Sequence, residues 1–174
     1  IDIDQNYSGT ITNFVVINDL GDEGLEIDGP EGSTHVNGMF SLVDGSIWTT
    51  NNNGSGSDLK SKAQGTISNT YWNGWNANSI KIRASFSDTT TCTQSTDALT
   101  NLTDMVPSLS FSNLEFVTGT PIADQVSVYT KSMNTDACVS SLEGSAEAVV
   151  STNAAIVSNS SVGADQSQFN WTWS

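Results

Sequence analysis

The residues best equipped for chemistry lie in one short acidic stretch. Asp19, Asp22, Glu23, Glu26, Asp28 and Glu31 all fall between positions 19 and 31. Carboxylate oxygens at this density suit a calcium ion, with Asp19, Asp22 and Glu23 as candidate ligands. They also suit the paired carboxyl groups of sugar hydrolysis. A solvated acidic face with structurally paired charges is the reading favoured over both. A polyuronate lyase would need a basic group near the acids, and the only basic residues are Lys60, Lys62, Lys81, Arg83 and Lys131. None of them falls in a lyase motif. His35 is the sole histidine, so no second imidazole is available for a metal site, and it reads as a structural or surface residue. The chain has no Gly-rich phosphate loop and no G-x-S-x-G. No catalytic residue is assigned, and no cofactor is required, calcium being the one candidate.

Two further groups could bind or cross-link. Trp48, Tyr71, Trp72 and Trp75 could form a flat platform for stacking glycans, or could simply pack. Cys92 and Cys138 lack metal or CxxC spacing. They suit a disulfide that ties the second half of the chain to its body, with a buried thiol pair as the alternative. Closing a loop of 46 residues between them would stabilise the fold.

These side chains sit in a polar, weakly charged chain. Its 174 residues suit one domain. Only 14% are charged and 36% hydrophobic, which argues against helical bundles with Glu/Lys-rich surfaces. A net charge of −14 argues against nucleic-acid or anionic-membrane partners. No apolar run reaches the length of a membrane helix. Acidic, Ser/Thr/Asn-rich and Lys-poor composition favours an extracellular or cell-surface setting, where a disulfide persists.

Repeats indicate the elements that must position these groups. Thr10-Ile-Thr-Asn13, Thr34-His-Val-Asn37, Thr66-Ile-Ser-Asn69 and the looser Ser110-Phe-Ser-Asn113 form one set, each followed by an apolar or aromatic residue. Ile1-Asp-Ile-Asp4, Leu25-Glu-Ile-Asp28, Leu59-Lys-Ser-Lys62 and Ile80-Lys-Ile-Arg83 form a second, with the alternation of half-buried strands. Two short strands per unit, separated by turn-rich connectors, predict an all-β right-handed parallel β-helix; a β-sandwich is the alternative. Stacking the second set in register places Asp2, Glu26, Lys60 and Lys81 in one outward column and Asp4, Asp28, Lys62 and Arg83 in the next. Glu26–Lys60 and Asp28–Lys62 should then pair between neighbouring coils.

The regular coils cover 1–86. An insertion spans 87–108, with a helical spacing of Leu99, Leu102 and Met105, and 109–174 supply the final coils and cap. Strands are expected over 109–117 and 125–129, and a helix turn or a strand over 143–150. Phe169, Trp171 and Trp173 should cover the end of the core. The edge strand at Ile1–Asp4 calls for a covering coil, either upstream sequence of a longer chain or a neighbouring copy.

The run from Ile11 to Gly29, with Asn18-Asp-Leu-Gly-Asp-Glu-Gly-Leu-Glu-Ile-Asp-Gly29 at its heart, resembles the right-handed parallel β-helix surface proteins of Bacteroidetes. The closing residues 163–174 are similar to the ends of those domains. The resemblance implies a secreted or cell-surface protein and carries over no catalytic residues. Asp88-Thr-Thr90 also resembles the short acceptor used for O-glycosylation in Bacteroidetes, with Thr89 as the site. The function expected is a non-catalytic extracellular module with a structural, adhesive or filament-forming role. The alternative is a carbohydrate-binding or polysaccharide-degrading protein.

Overall fold

A computed structural model describes residues 1–4, 7–30, 38–131 and 136–169. The strands are β1 (Asp2–Ile3), β2 (Thr10–Ile17), β3 (Glu23–Asp28), β4 (Phe40–Trp48), β5 (Ser55–Lys60), β6 (Gly65–Asn73), β7 (Ile80–Asp88), β8 (Thr93–Ser95), β9 (Leu109–Val117), β10 (Val126–Thr130) and β11 (Ala154–Val157). Helices α1 (Ala98–Thr103), α2 (Ile122–Gln125) and α3 (Asp136–Ser151) interrupt the second half. The first sheet runs β1-β3-β5-β7-β10 and the second β11-β9-β6-β4-β2, with every pairing in these two orders parallel. Strand β8 adds an antiparallel edge to β7.

This corrects the right-handed β-helix. The strands form two parallel sheets with helices among them, and neither sheet is closed or coiled. The repeats do specify parallel neighbours, and they give the register of β1 with β3 and of β6 with β9. They do not specify how the ends of strands are joined, and connectors of unequal length and three helices occupy those places.

Register follows from what each position must bury. In the second sheet Ile11, Leu42, Ile67 and Phe111 align, as do Val16, Ile47, Trp72 and Phe116, and most of these are fully buried. Between these columns the strands pass through a left-handed residue: Asn13, Asp44, Asn69 and Asn113 all have φ near +50°. Asn and Asp tolerate this region better than other side chains. Asn113 Nδ2 donates to Asn69 Oδ1 at 2.8 Å, and Asn69 Nδ2 to Asp44 Oδ1 at 3.1 Å. The repeated Asn thus forms a ladder across strands. Its second rung is Asp44, from Ser41-Leu-Val-Asp44. The copy expected there, Thr34–Asn37, lies outside the described residues, as does His35.

The first sheet aligns Ile3, Ile27, Leu59, Ile82 and Val128 on its inner face. This shifts the expected register by two residues, because Leu59 pairs with Ile27 rather than Leu25. Packing explains the shift. Strand β5 begins at Ser55, where small residues face the bulky Trp72. A Cβ on Gly56 would stand 2.3 Å from Trp72 Cδ1, and Trp72 Nε1 donates to Ser57 Oγ at 3.0 Å. Small side chains there complement a large one opposite, as close packing requires.

The segment expected as an insertion joins the core. Asp97 caps α1 with a capping box, and Leu99 and Leu102 are buried, whereas Met105 is 97% exposed beyond the helix. The expected strand over 109–117 coincides with β9, and that over 125–129 with β10 to within one residue. Residues 143–150 lie within α3, whose Cys138, Ala146 and Val150 are buried at helical spacing. Helix α3 packs beside β10 and meets α1. Cys92 and Cys138 form a disulfide with Cα atoms 5.3 Å apart. It fastens the β7–β8 turn to the start of α3.

Candidate functional site

Charged groups converge on the outer face of the first sheet. Because Asp2 aligns with Glu26, Glu26 with Asp58, and Asp58 with Lys81, one outward column reads Asp2, Glu26, Asp58, Lys81. The neighbouring column contains Asp28 opposite Lys60 and Arg83 opposite Tyr129. Asp58 is therefore the third member of the acidic column, where Lys60 was expected.

The contacts are reciprocal. Lys60 bonds Glu26 and lies 3.6 Å from Asp28 Oδ2. The expected Glu26–Lys60 pair is present, on a diagonal between strands. Asp28 faces Lys60, not Lys62, because of the two-residue shift; the backbone amide of Lys62 instead donates to Asp97. Lys81 Nζ lies 3.5 Å from Asp58 Oδ2 and 4.9 Å from the centre of the Tyr129 ring. Tyr129 donates its hydroxyl to Asp58 Oδ1 at 2.6 Å. Arg83 Nε donates to Asp97 Oδ2 at 2.8 Å, and Ser85 donates to the same oxygen.

The electrostatics follow from burial opposed by partners. Burial disfavours the charge on Asp97, but the bonds from Arg83, Ser85 and the amides of Lys62 and Ala98 prevail and hold its carboxyl below the usual range. Burial works against the Lys60 ammonium, and the Glu26 bond together with the charges of Asp28, Glu26 and Asp58 outweighs it, raising its pKa. Burial, then the Asp58 acceptor, push the Tyr129 phenol upward. Glu23 is also pushed up, by burial and then by Glu26 and Asp58. Tyr129 thus stays a hydrogen-bond donor, unsuited to act as a base. Lys81 and Arg83, the cations nearest it, are engaged by Asp58 and Asp97. The geometry holds a charged face rigid by internal pairing.

The acidic stretch does not converge. Asp19 accepts the Thr50 amide at 2.8 Å in the β2–β3 connection, whereas Glu26 and Asp28 belong to β3. Among the described residues no three His, Cys, Asp or Glu side chains are placed to hold a metal ion. Glu31 lies outside them.

The aromatic group does not form a platform. Trp72 and Trp75 are each 1% exposed and Tyr71 is buried. Trp48 alone is half-buried, donating Nε1 to the Tyr71 hydroxyl at 2.6 Å. Tyr71 is covered by residues 161–165, which cross the outer face of the second sheet as a strap. Ser161 donates its amide and hydroxyl to Glu115 on β9, Ala164 its amide to Ser46 on β4, and Asp165 its amide to Asn13 on β2. Gly163, at φ +108°, passes so close to Tyr71 that a Cβ there would stand 2.4 Å from the ring. Phe169 ends the described part of the strap in a 3-10 turn; Trp171 and Trp173 lie outside it. Thr89 is exposed in the β7–β8 turn, its neighbour Asp88 accepting the Thr90 amide.

Sequence reasoning missed Asp58, Asp97 and Tyr129. Reading Ser55-Gly-Ser-Asp-Leu-Lys60 as the alternating strand would have put Asp58 on the outer face with Lys60. Asp97-Ala-Leu-Thr100 fits a capping box, but nothing in that pattern points to Arg83 as the partner of Asp97. Comparison finds no matching family model, no matching curated protein and no matching solved structure. The likeness to the Bacteroidetes surface proteins thus rests on its residues alone.

Proposed function

We propose that this chain is a non-catalytic extracellular module with a structural or adhesive role. The observation that carries this reading is the mutual engagement of the charged face: Lys60, Lys81, Arg83 and Tyr129 each bond a carboxylate of the same face. A catalytic pair needs a group left free to give or take a proton, and here the candidates serve one another. The disulfide supports an oxidising location. A lateral surface made of ladders and a strap supports a role carried by shape and rigidity.

The test is an assay of the oxidised protein against a panel of neutral and uronate-containing polysaccharides. Reducing ends report hydrolysis, and absorbance of unsaturated products reports elimination. No product is expected. Product that disappears in Asp58→Asn or Tyr129→Phe would overturn the reading and make the charged face an active site.

A further inference from the structure

We infer that the second sheet continues from one copy of this chain into the next, β11 of one molecule pairing in parallel with β2 of another. This deepens the structural reading above and rests on it.

Strands β2 and β11 end the second sheet, and the outer side of each is unpaired among the described residues. Proteins normally blunt such edges with charge, proline or a covering element. Charge and proline are both absent from these two strands: Thr10–Ile17 and Ala154–Val157 contain neither, in a chain whose net charge is −14, and α2 and α3 touch β11 only slightly. The first sheet ends differently. There β1 has only two residues, one of them Asp2, and α3 packs beside β10.

The two open edges suit each other. All strands of the second sheet are parallel, so a copy added at β2 presents its β11 in the same direction. Following the ladder through Leu114, Thr70 and Gly45 places Ala154 in the column of Phe14. By the same continuation Ile156 falls in the column of Val16. Ile156 is 37% exposed although its column faces the core, and a further strand would cover it. The outward amide is identifiable too. Asn18 donates its N–H to Trp48 on β4, so strand alternation turns the Ile17 N–H away from β4. Ile17 itself is 51% exposed. The overlap covers only the four residues of β11, so the association is weak and depends on concentration. Joining unlike edges leaves one of each free, and assembly stays open.

Sedimentation velocity of the oxidised protein over a wide concentration range tests this. The weight-average sedimentation coefficient is expected to rise with concentration, and equally so for Met105→Ser, which removes an exposed apolar side chain far from either edge strand in sequence. Ile17→Pro removes the outward amide at one edge, and Ile156→Lys charges the other. Each alone is expected to stay monomeric with an unchanged circular dichroism spectrum. Mixed together they are expected to form dimers and nothing larger, since each retains one intact edge. A wild type that is monomeric throughout overturns the inference, as does association of the wild type that survives in either variant. Glycan turnover would remove the reading it rests on, whereas monomers without turnover would remove this inference alone.

Discussion

The two sheets use the same stacking to opposite ends. Parallel strands about 4.8 Å apart repeat each position as a column, so any charge is set against its own kind unless the sign changes. On the first sheet the column Asp2, Glu26, Asp58, Lys81 runs through three acids before a base. Its stability depends on diagonal partners: Lys60 for Glu26, and Tyr129 for Asp58. On the second sheet the equivalent problem is met by amides. Asn both donates and accepts, so Asn113, Asn69 and Asp44 hand one bond along the column. A charged ladder needs a particular neighbour at every step, whereas an amide ladder accepts its own copy.

Removing what the sheets share should have the largest effect. Trp72→Ala would empty the space between the second sheet and Gly56 and Ser57 of the first, and is expected to cost about 3–5 kcal/mol in urea unfolding. A loss under about 1 kcal/mol would mean the sheets do not share one core. Replacing Cys92 and Cys138 by Ser is expected to cost about 4 kcal/mol by loop-closure entropy. Its local signature should be one-sided, with faster amide exchange in α3 and β10 and little change in β2, β4 and β6. Equal loosening of both sheets would argue against that division.

The comparison of charge with amide is sharpened by two smaller changes. Asp97→Ala leaves the half-buried Arg83 without its carboxylate and uncaps α1, and is expected to cost about 3 kcal/mol. Asp97 and Glu115 are both held below their usual range; burial opposes the charge in each, and the hydrogen bonds each accepts, led by those from Arg83 and Ser161, together override it. Their stabilising contribution is therefore complete above the unfolded-state pKa values. It is lost as pH falls through the lowered folded-state values. Unfolding measured against pH should show stability dropping on the acid side, with a shallower fall in Asp97→Asn. Asn69→Ala, by contrast, breaks the amide ladder at its middle and is expected to cost about 1 kcal/mol with little pH dependence.

How far the sequence foretold this depends on how locally each feature is determined. The Thr/Ser-x-x-Asn pattern was legible because one residue type both tolerates the left-handed bend and bonds its copy. The β1–β3 register was legible because Ile3 and Ile27 leave no choice of face. Strand β5 was misread because Ser55, Gly56 and Ser57 are buried for their smallness against Trp72, and smallness has no periodic signal. The same cause hid Asp58. Trp72 and Trp75 resembled a binding platform because alternation cannot say which face has a second sheet over it. The strap was invisible, since Ser161, Ala164 and Asp165 attach mostly through backbone amides, which every sequence carries. The closed β-helix failed for a related reason: repeats encode neighbours, not connections.

The strap has a kinetic consequence. The bond from Asp165 to Asn13 joins positions 152 apart in the chain, and those to Glu115 and Ser46 cannot form until β9 and β4 stand in the same sheet. Contacts of such long range must follow the strands they cross. Interactions absent from the folding transition state act on the unfolding rate and hardly on the folding rate. The last residues of the strap would then act as a latch: they do little to guide the chain home, and they lengthen its stay once it has arrived.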